Sequence, residues 1–152
     1  MVAELTLIGH EPLTGEVGEL CIKGPQVMSG YWQRPDETAK VMLPDGWFRS
    51  GDVGFMNEKG FFKIVDRKKD MIITGGFNVY PSDIEAELRE HPAVKECCVF
   101  GIADPVAGET VGAAVVPKGE APDSSELRAY CRTFLSEFKI PEKIFYLSAL
   151  PR

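Results

Sequence analysis

Three short stretches of the 152-residue chain hold residue types that can do chemistry. The first is Trp47-Phe48-Arg49-Ser50-Gly51-Asp52, where an aspartate follows a glycine at the end of an apparent strand. A carboxylate so placed can accept two hydrogen bonds from a ribose diol, the role an acidic residue plays in dinucleotide folds. The more ordinary use of such a residue is to satisfy local backbone amides in a turn. The second stretch is Asp66-Arg67-Lys68-Lys69-Asp70, an unbroken charged run between two apolar ones. It cannot be buried as a strand core, and its plain reading is a solvated interdomain turn. Arg67 can set a fixed cation near a nucleotide; alternatively it pairs with Asp66 or Asp70, an interaction worth little when exposed. The third is Gly75-Gly76, just after the apolar run 71–73. Adjacent glycines there mark a tight turn or a close approach of backbone to another group. Turns use such pairs far more often than ligands do.

Other chemistries are disfavoured by count and spacing. Cys21, Cys97, Cys98 and Cys131 show no CxxC pattern. They read as reduced, mostly buried thiols of a cytoplasmic protein. Cys97 and Cys98 are neighbours in an apparent strand, so their side chains should point to opposite faces. His10 lies in a turn-rich loop and His91 just past a helix, neither with a ligand set beside it, so no metal site is expected. No GxSxG elbow supports a serine hydrolase. Seventeen Lys and Arg against 23 Asp and Glu leave a charge of −6 with no basic block, which argues against nucleic-acid binding. No apolar run approaches the roughly 20 residues of a transmembrane segment, and residues 1–15 lack the basic start and apolar core of a signal peptide. At 44% hydrophobic and 26% charged, the composition is that of an ordinary soluble globular protein.

The elements that must hold these residues fall into two unequal parts. Residues 1–66 contain short β-type runs at 5–8, 19–23, 48–50, 54–56 and 61–65, with one short helix at 36–41. Pro44-Asp45-Gly46 and Asn57-Glu58-Lys59-Gly60 carry the residues that tight turns need. These short pieces do not complete a core and leave a sheet face or edge uncovered. Residues 67–152 are better formed. Ser82 as N-cap with Glu85 three residues on reads as a capping box, and Ile84 and Leu88 then share one helix face. Strands follow at 94–102 and 110–117. Asp123 or Ser124 caps a second helix with an apolar stripe of Leu127, Tyr130, Cys131, Phe134, Leu135 and Phe138. A last strand is expected at 144–147. The fold class is α+β: an incomplete β-rich segment, then a compact β-α-β-β-α-β domain of antiparallel-type strands with two helices on one face.

The order of several motifs resembles the adenylate-forming synthetases. Gly18-Glu19-Leu20-Cys21-Ile22-Lys23-Gly24-Pro25, Met28-Ser29-Gly30-Tyr31-Trp32, Pro35-Asp36-Glu37-Thr38, Trp47 through Asp52, Gly54 and Gly60 carry it, with 66–70 and 75–81 after them. The run Asp66-Arg67-Lys68-Lys69-Asp70-Met71-Ile72 with Gly76-Phe77-Asn78-Val79-Tyr80-Pro81 is most similar to the fatty-acyl-CoA ligase branch. The resemblance implies the C-terminal portion of an acyl-CoA synthetase: residues 1–66 as the β-rich tail of the N-terminal adenylation region, residues 67–152 as the mobile C-terminal domain. It implies a two-step reaction in which a carboxylic acid is activated with ATP as acyl-AMP and the thiol of coenzyme A then displaces AMP, with Mg²⁺ assisting the first step. By position, Asp52 matches the aspartate that binds the AMP ribose hydroxyls and Arg67 the arginine near that ribose. Lys69 matches the hinge about which the C-terminal domain rotates between steps. Gly75 and Gly76 match the loop that enters the active site for thioester formation, where absent side chains let the pantetheine arm pass. Gly101, Pro105, Gly108 and Glu109 match a further loop to which no chemistry is assigned. Tyr31 and Trp32 read as packing residues.

The departures are informative too. The family's Ser/Thr/Gly-rich phosphate loop and its acyl pocket have no counterpart in these residues. The adenylation lysine of the family lies just after a segment like Leu150-Pro151-Arg152, and Lys139 and Lys143 come too early to replace it. Met1 running straight into mid-protein sequence implies a truncated start. On this reading the 152-residue chain alone is inactive, holds no tightly bound ATP, AMP, CoA or Mg²⁺, and has the remaining N-terminal region of the same enzyme as its partner. A long-chain acid would bring the parent enzyme to a membrane surface, though nothing here is an anchor. Two other readings stay open: a stand-alone binding module whose uncovered β segment is a partner surface, and an adenylation domain that loads a carrier protein.

Overall fold

Turn chemistry and strand alternation divide the chain into short antiparallel ladders early and longer ones late. The computed structural model describes residues 4–8 and 15–151. Its contacts resolve into two units, the first ending at Lys69 and the second beginning at Asp70. The division falls slightly past 66/67 because the last strand of the first unit runs on through Arg67. His10, Met1 and Arg152 lie outside the described residues.

In the first unit β1 (Glu4–Ile8), β2 (Val17–Lys23), β3 (Phe48–Met56) and β4 (Phe62–Arg67) form one antiparallel sheet in the order β1-β2-β3-β4. Helix α1 (Pro35–Val41) precedes β3. It opens with proline in its first turn, followed by Asp36 and Glu37 and closed by Lys40, a charge order that suits the helix dipole. It buries no residue of its own, so the Thr38 hydroxyl ties it to the preceding loop, accepting the Tyr31 N–H at 2.9 Å and donating to the Arg34 carbonyl at 2.8 Å. Leu20, Cys21 and Val53 are this unit's buried apolar residues among those described. The expected strands 48–50 and 54–56 are one strand, β3, with an irregularity between them. Cys21 pairs with Arg49 and Glu19 with Val53, so β3 uses more residues than β2 over the same span. Gly51, at φ +74°, turns the backbone there, and the Ser50 hydroxyl bonds to the Leu20 carbonyl at 2.8 Å in place of a regular ladder bond.

The second unit contains β5 (Ile72–Thr74), β6 (Phe77–Val79), α2 (Pro81–Glu90), β7 (Val94–Asp104), β8 (Gly108–Pro117), α3 (Ser124–Phe134) and β9 (Lys143–Tyr146). The sheet runs β6-β5-β8-β7, with β9 beside β8. Alternate residues of β7 and β8, among them Cys97, Val99, Val111, Ala113 and Val115, enter one core with Ile84 and Leu88 of α2 and Leu127 and Cys131 of α3. The α+β class is as the sequence implies, with four local differences. The run before α2 is a two-stranded hairpin. The last strand is parallel to β8, because α3 makes the crossover that a parallel pair requires. The capping box is absent: α2 starts at Pro81 with Tyr80 as its cap. Glu85 instead reaches β7, accepting the Val99 N–H at 2.9 Å and pairing with Arg89 at 2.6 Å. At α3 the cap is Asp123, whose Oδ1 accepts the Ser125 N–H at 2.7 Å. The helix ends at Phe134, and Phe138 sits in the 3-10 turn that follows, stacked on Phe77 at 4.6 Å. Among the described residues no helix is long and apolar enough to cross a membrane.

The four cysteines are free; Cys21, Cys97 and Cys131 are buried and Cys98 is exposed, so the neighbours on β7 do face opposite ways. Burial pushes the Cys97 and Cys131 thiols up to about 11, which leaves little thiolate near neutrality. At pH 8 the folded chain should therefore take up alkylating reagent at Cys98 alone, and the other three should react only in denaturant. Mass spectrometry of the labelled protein checks this; native labelling at Cys97 or Cys131 contradicts it.

Candidate functional site

The irregular stretch of β3 is where the first candidate residues sit. The Asp52 N–H donates to the Ser50 hydroxyl at 3.0 Å, which holds the stretch in shape. Asp52 lies opposite Arg67 in the β3–β4 register, and Arg67 Nε meets Asp52 Oδ1 at 2.8 Å. The arginine side chain thus pairs across the strands with Asp52. Asp66 Oδ1 accepts the Arg67 backbone N–H at 2.8 Å. The Asp52 side chain is 21% exposed and that of Arg67 is 60% exposed. One face of the carboxylate is therefore held by a cation while the pair stays open to solvent. Such an arrangement can accept hydroxyl donors at the carboxylate and place a positive charge beside them. Gly54, two residues on, admits no side chain: a Cβ there would lie 2.5 Å from the Lys63 carbonyl oxygen.

On the same sheet is a cluster that the motif reading passed over. Glu19, its side chain only 9% exposed, accepts from Arg49 Nη2 at 2.7 Å and Nε at 3.1 Å, and from Lys68 Nζ at 2.9 Å. Burial works against the charged carboxyl, yet the Arg49 and Lys68 hydrogen bonds outweigh it and hold Glu19 below the usual glutamate range. The signal was present in the sequence as a lone carboxylate inside the otherwise uncharged run Val17 to Ile22. Lys68 opens the 3-10 turn Lys68–Asp70, and exposed Lys69 follows it at the end of the first unit.

Gly75 and Gly76 belong to the second unit. They form the tip of the β5–β6 hairpin, where Thr74 pairs with Phe77. Their φ values of +54° and +83° are those of a two-residue turn that side chains resist. A Cβ at either would meet nothing within 4 Å. Conformation, not crowding by this unit, therefore calls for glycine, and the tip is open. Beside the hairpin base, a cleft of about 500 Å³ is lined by Thr74, Thr110, Arg128, Arg132, Phe138 and Pro141, among others. Arg128 Nε is buried there without a partner, although its Nη2 donates to the Glu142 carbonyl at 2.5 Å. Arg132 pairs with Glu137 at 3.2 Å. These arginines lie one helical turn apart on α3, and the motif reading did not single them out. Among the described residues no group of three His, Cys, Asp or Glu is placed to hold a metal ion, so no step is assigned to one.

Residues 83–152 match the family described as the AMP-binding enzyme C-terminal domain. Over that span the chain is similar to this family. Its similarity to known proteins extends further toward the N-terminus. It is 51% identical over 138 residues, 90% of its length, to a long-chain-fatty-acid–CoA ligase of Bacillus subtilis, of which it spans 24%. It is 43% identical over 153 residues, 99% of its length, to a 2-succinylbenzoate–CoA ligase of Geobacillus kaustophilus, of which it spans 31%. The fold is similar to that of ATP-bound MatB from Rhodopseudomonas palustris, with a TM-score of 0.89 and 40% identity, covering 99% of this chain and 31% of that one. The chain thus spans about a quarter to a third of the length of the adenylate-forming CoA ligases it resembles.

The Glu19 cluster has a pH signature of its own. A carboxyl whose folded pKa is depressed adds stability that is whole above its unfolded value and is lost as pH falls through the folded one. Glu19→Gln should lower the unfolding free energy near pH 7 by about 2 kcal/mol. It should also remove part of the destabilisation expected between about pH 5 and pH 3. Urea unfolding across that range checks both; an unchanged acid limb would remove Glu19 as its source.

Proposed function

We propose that this chain is the C-terminal region of an ATP-dependent ligase that joins a carboxylic acid to coenzyme A. In the first step an acid oxygen attacks the α-phosphorus of ATP and pyrophosphate leaves, giving acyl-AMP. In the second the CoA sulfur attacks the acyl carbonyl, the thiol proton is lost and AMP leaves. The observation that carries the reading is the Asp52–Arg67 pair, open to solvent, with Asp52 on the stretch of β3 that departs from the β2 ladder and Arg67 two residues before the end of the first unit. Asp52 would accept the two ribose hydroxyls of the nucleotide, and Arg67 would hold the carboxylate in place and add a cation beside the ribose. Lys69 would act as the pivot, since Lys68 before it is fastened to Glu19. The Gly75-Gly76 tip would flank the thiol arm.

A fatty acid is the acid class that similarity favours, because the relative reported at 51% identity is a long-chain-fatty-acid–CoA ligase. The nucleotide and thiol steps are shared by every acid of the group, so the test is built on them. In the full ligase, Asp52→Ala should slow acyl-AMP formation by about tenfold to a hundredfold, the loss of two charged hydrogen bonds. Gly76→Leu should leave acyl-AMP formation near wild type and block thioester formation. Pyrophosphate release and acyl-CoA formation, measured separately, check the pair. Equal loss of both steps in Gly76→Leu would show that the loop has no step-specific role.

The 152-residue chain by itself should form no acyl-AMP, because residues resembling the phosphate loop and acid pocket are not among its own. Pyrophosphate release above a no-enzyme blank would overturn that expectation.

A further inference from the structure

The turn between β7 and β8 holds Pro105 and Gly108, with Gly101 before it and Glu109 after it, and the reading above gives it no task. Its backbone is fixed from within. Asp104 Oδ1 accepts the N–H groups of Ala107 at 2.8 Å and Val106 at 2.9 Å. These bonds hold the Asp104 carboxyl below the usual range. Held this way, the turn presents the Ala107 carbonyl, which accepts the Gly75 N–H at 3.0 Å. Gly108, at φ +83°, then forms with Thr74 the recorded β5–β8 ladder pair.

Glu109 completes the contact. Its Oε2 accepts the Ile73 N–H at 2.8 Å, on the β5 edge that has no longer ladder to join. Its other carboxylate oxygen lies over Gly101, where a Cβ would stand only 2.6 Å away. Gly101 is therefore the residue that makes room for this carboxylate. β5 has three residues, too few for a hairpin to hold its own angle by pairing alone. Two side chains from the turn, one acting through Ala107 and one directly, supply the missing constraint at successive points just below the glycine tip.

We propose that the Asp104-to-Glu109 turn is a positioning element for the Gly75-Gly76 tip, with Glu109 as its principal positioning residue. The inference rests on the thioester-step reading of the tip. Attack by a thiol requires its sulfur near 3 to 3.5 Å from the carbonyl carbon, and a displacement of about 1 Å can cost on the order of a hundredfold in rate. A hairpin loosened at its base keeps its glycines and loses that accuracy.

The test uses the full ligase with the two steps assayed separately. Glu109→Ala should reduce the acyl-transfer kcat by about tenfold while the KM for CoA and the rate of acyl-AMP formation stay within about twofold. Glu109→Gln keeps an acceptor oxygen and should recover most of the loss. Asp104→Ala, which acts through Ala107, should give the same split between steps and serves as a second variant if Glu109→Ala folds poorly. An equal loss in both steps in these variants, or an unchanged acyl-transfer step, overturns the proposal. Gly76→Leu separates it from the reading beneath it. If that variant blocks acyl transfer while Glu109→Ala and Asp104→Ala do not, only the positioning role fails. If it leaves acyl transfer intact, the reading of the tip fails and the positioning role with it.

Discussion

One carboxylate fixes both strand ends that carry the candidate nucleotide pair. Glu19 is nearly buried on β2 and is held by Arg49 of β3 and Lys68 beyond β4. Arg49 stands at the start of the irregular stretch that ends at Asp52, and Lys68 is the neighbour of Arg67. A buried charge without partners would be expelled or protonated. The two cations must therefore stay where they are, and with them the backbone on either side of the Asp52–Arg67 contact. Asp52 gains a set position from this, although its own stretch of β3 departs from the ladder. The same bond restrains Lys68 and so leaves Lys69 as the first residue of the 3-10 turn that is exposed and outside the cluster.

The second unit solves a related problem by other means. Its glycine tip has open space around it and a backbone conformation that excludes side chains at little cost only in glycine. Freedom at the tip would be useless without a fixed base. The base is held by the neighbouring turn through backbone and carboxylate hydrogen bonds rather than by a long strand pair. The Phe77–Phe138 stack closes the other side of the hairpin. Both candidate regions thus place a reactive feature on irregular backbone and hold that backbone with acidic side chains.

What the sequence made legible follows from how local each feature is. The helices at Pro35–Val41, Pro81–Glu90 and Ser124–Phe134, and the buried pattern of β7 and β8, are written in short-range periodicity and in capping residues such as Asp123. The reading of Ser82 and Glu85 as a capping box failed because Pro81 starts the helix earlier and Glu85 finds a stronger use on β7. The separation of 48–50 from 54–56 failed because a strand can bulge and continue, which alternation cannot register. Arg67's pairing with Asp52 depends on strand register, and Glu109's bond to Ile73 joins residues 36 apart. Neither was visible in a window of a few residues. A charged residue within an apolar run, as Glu19 is, was the one long-range contact that local inspection had the means to flag.

The distribution of these features bears on what the region can select. On the proposed reading, Asp52, Arg67, Lys69 and the Gly75-Gly76 tip serve what all the proposed reactions share: a ribose, a hinge or a thiol arm. The chain is 51% identical to a ligase of long-chain fatty acids and 43% identical to a ligase of 2-succinylbenzoate. Those acids differ in length, charge and aromatic character, and a pocket able to tell them apart would need different lining residues for each. A region that stays this similar across both is, on that reading, built around the nucleotide and the acceptor. On the proposed reading, the choice of acid is therefore made by residues outside these 152, while the timing of its transfer depends on how firmly Glu19 and Glu109 hold the two irregular segments they grip.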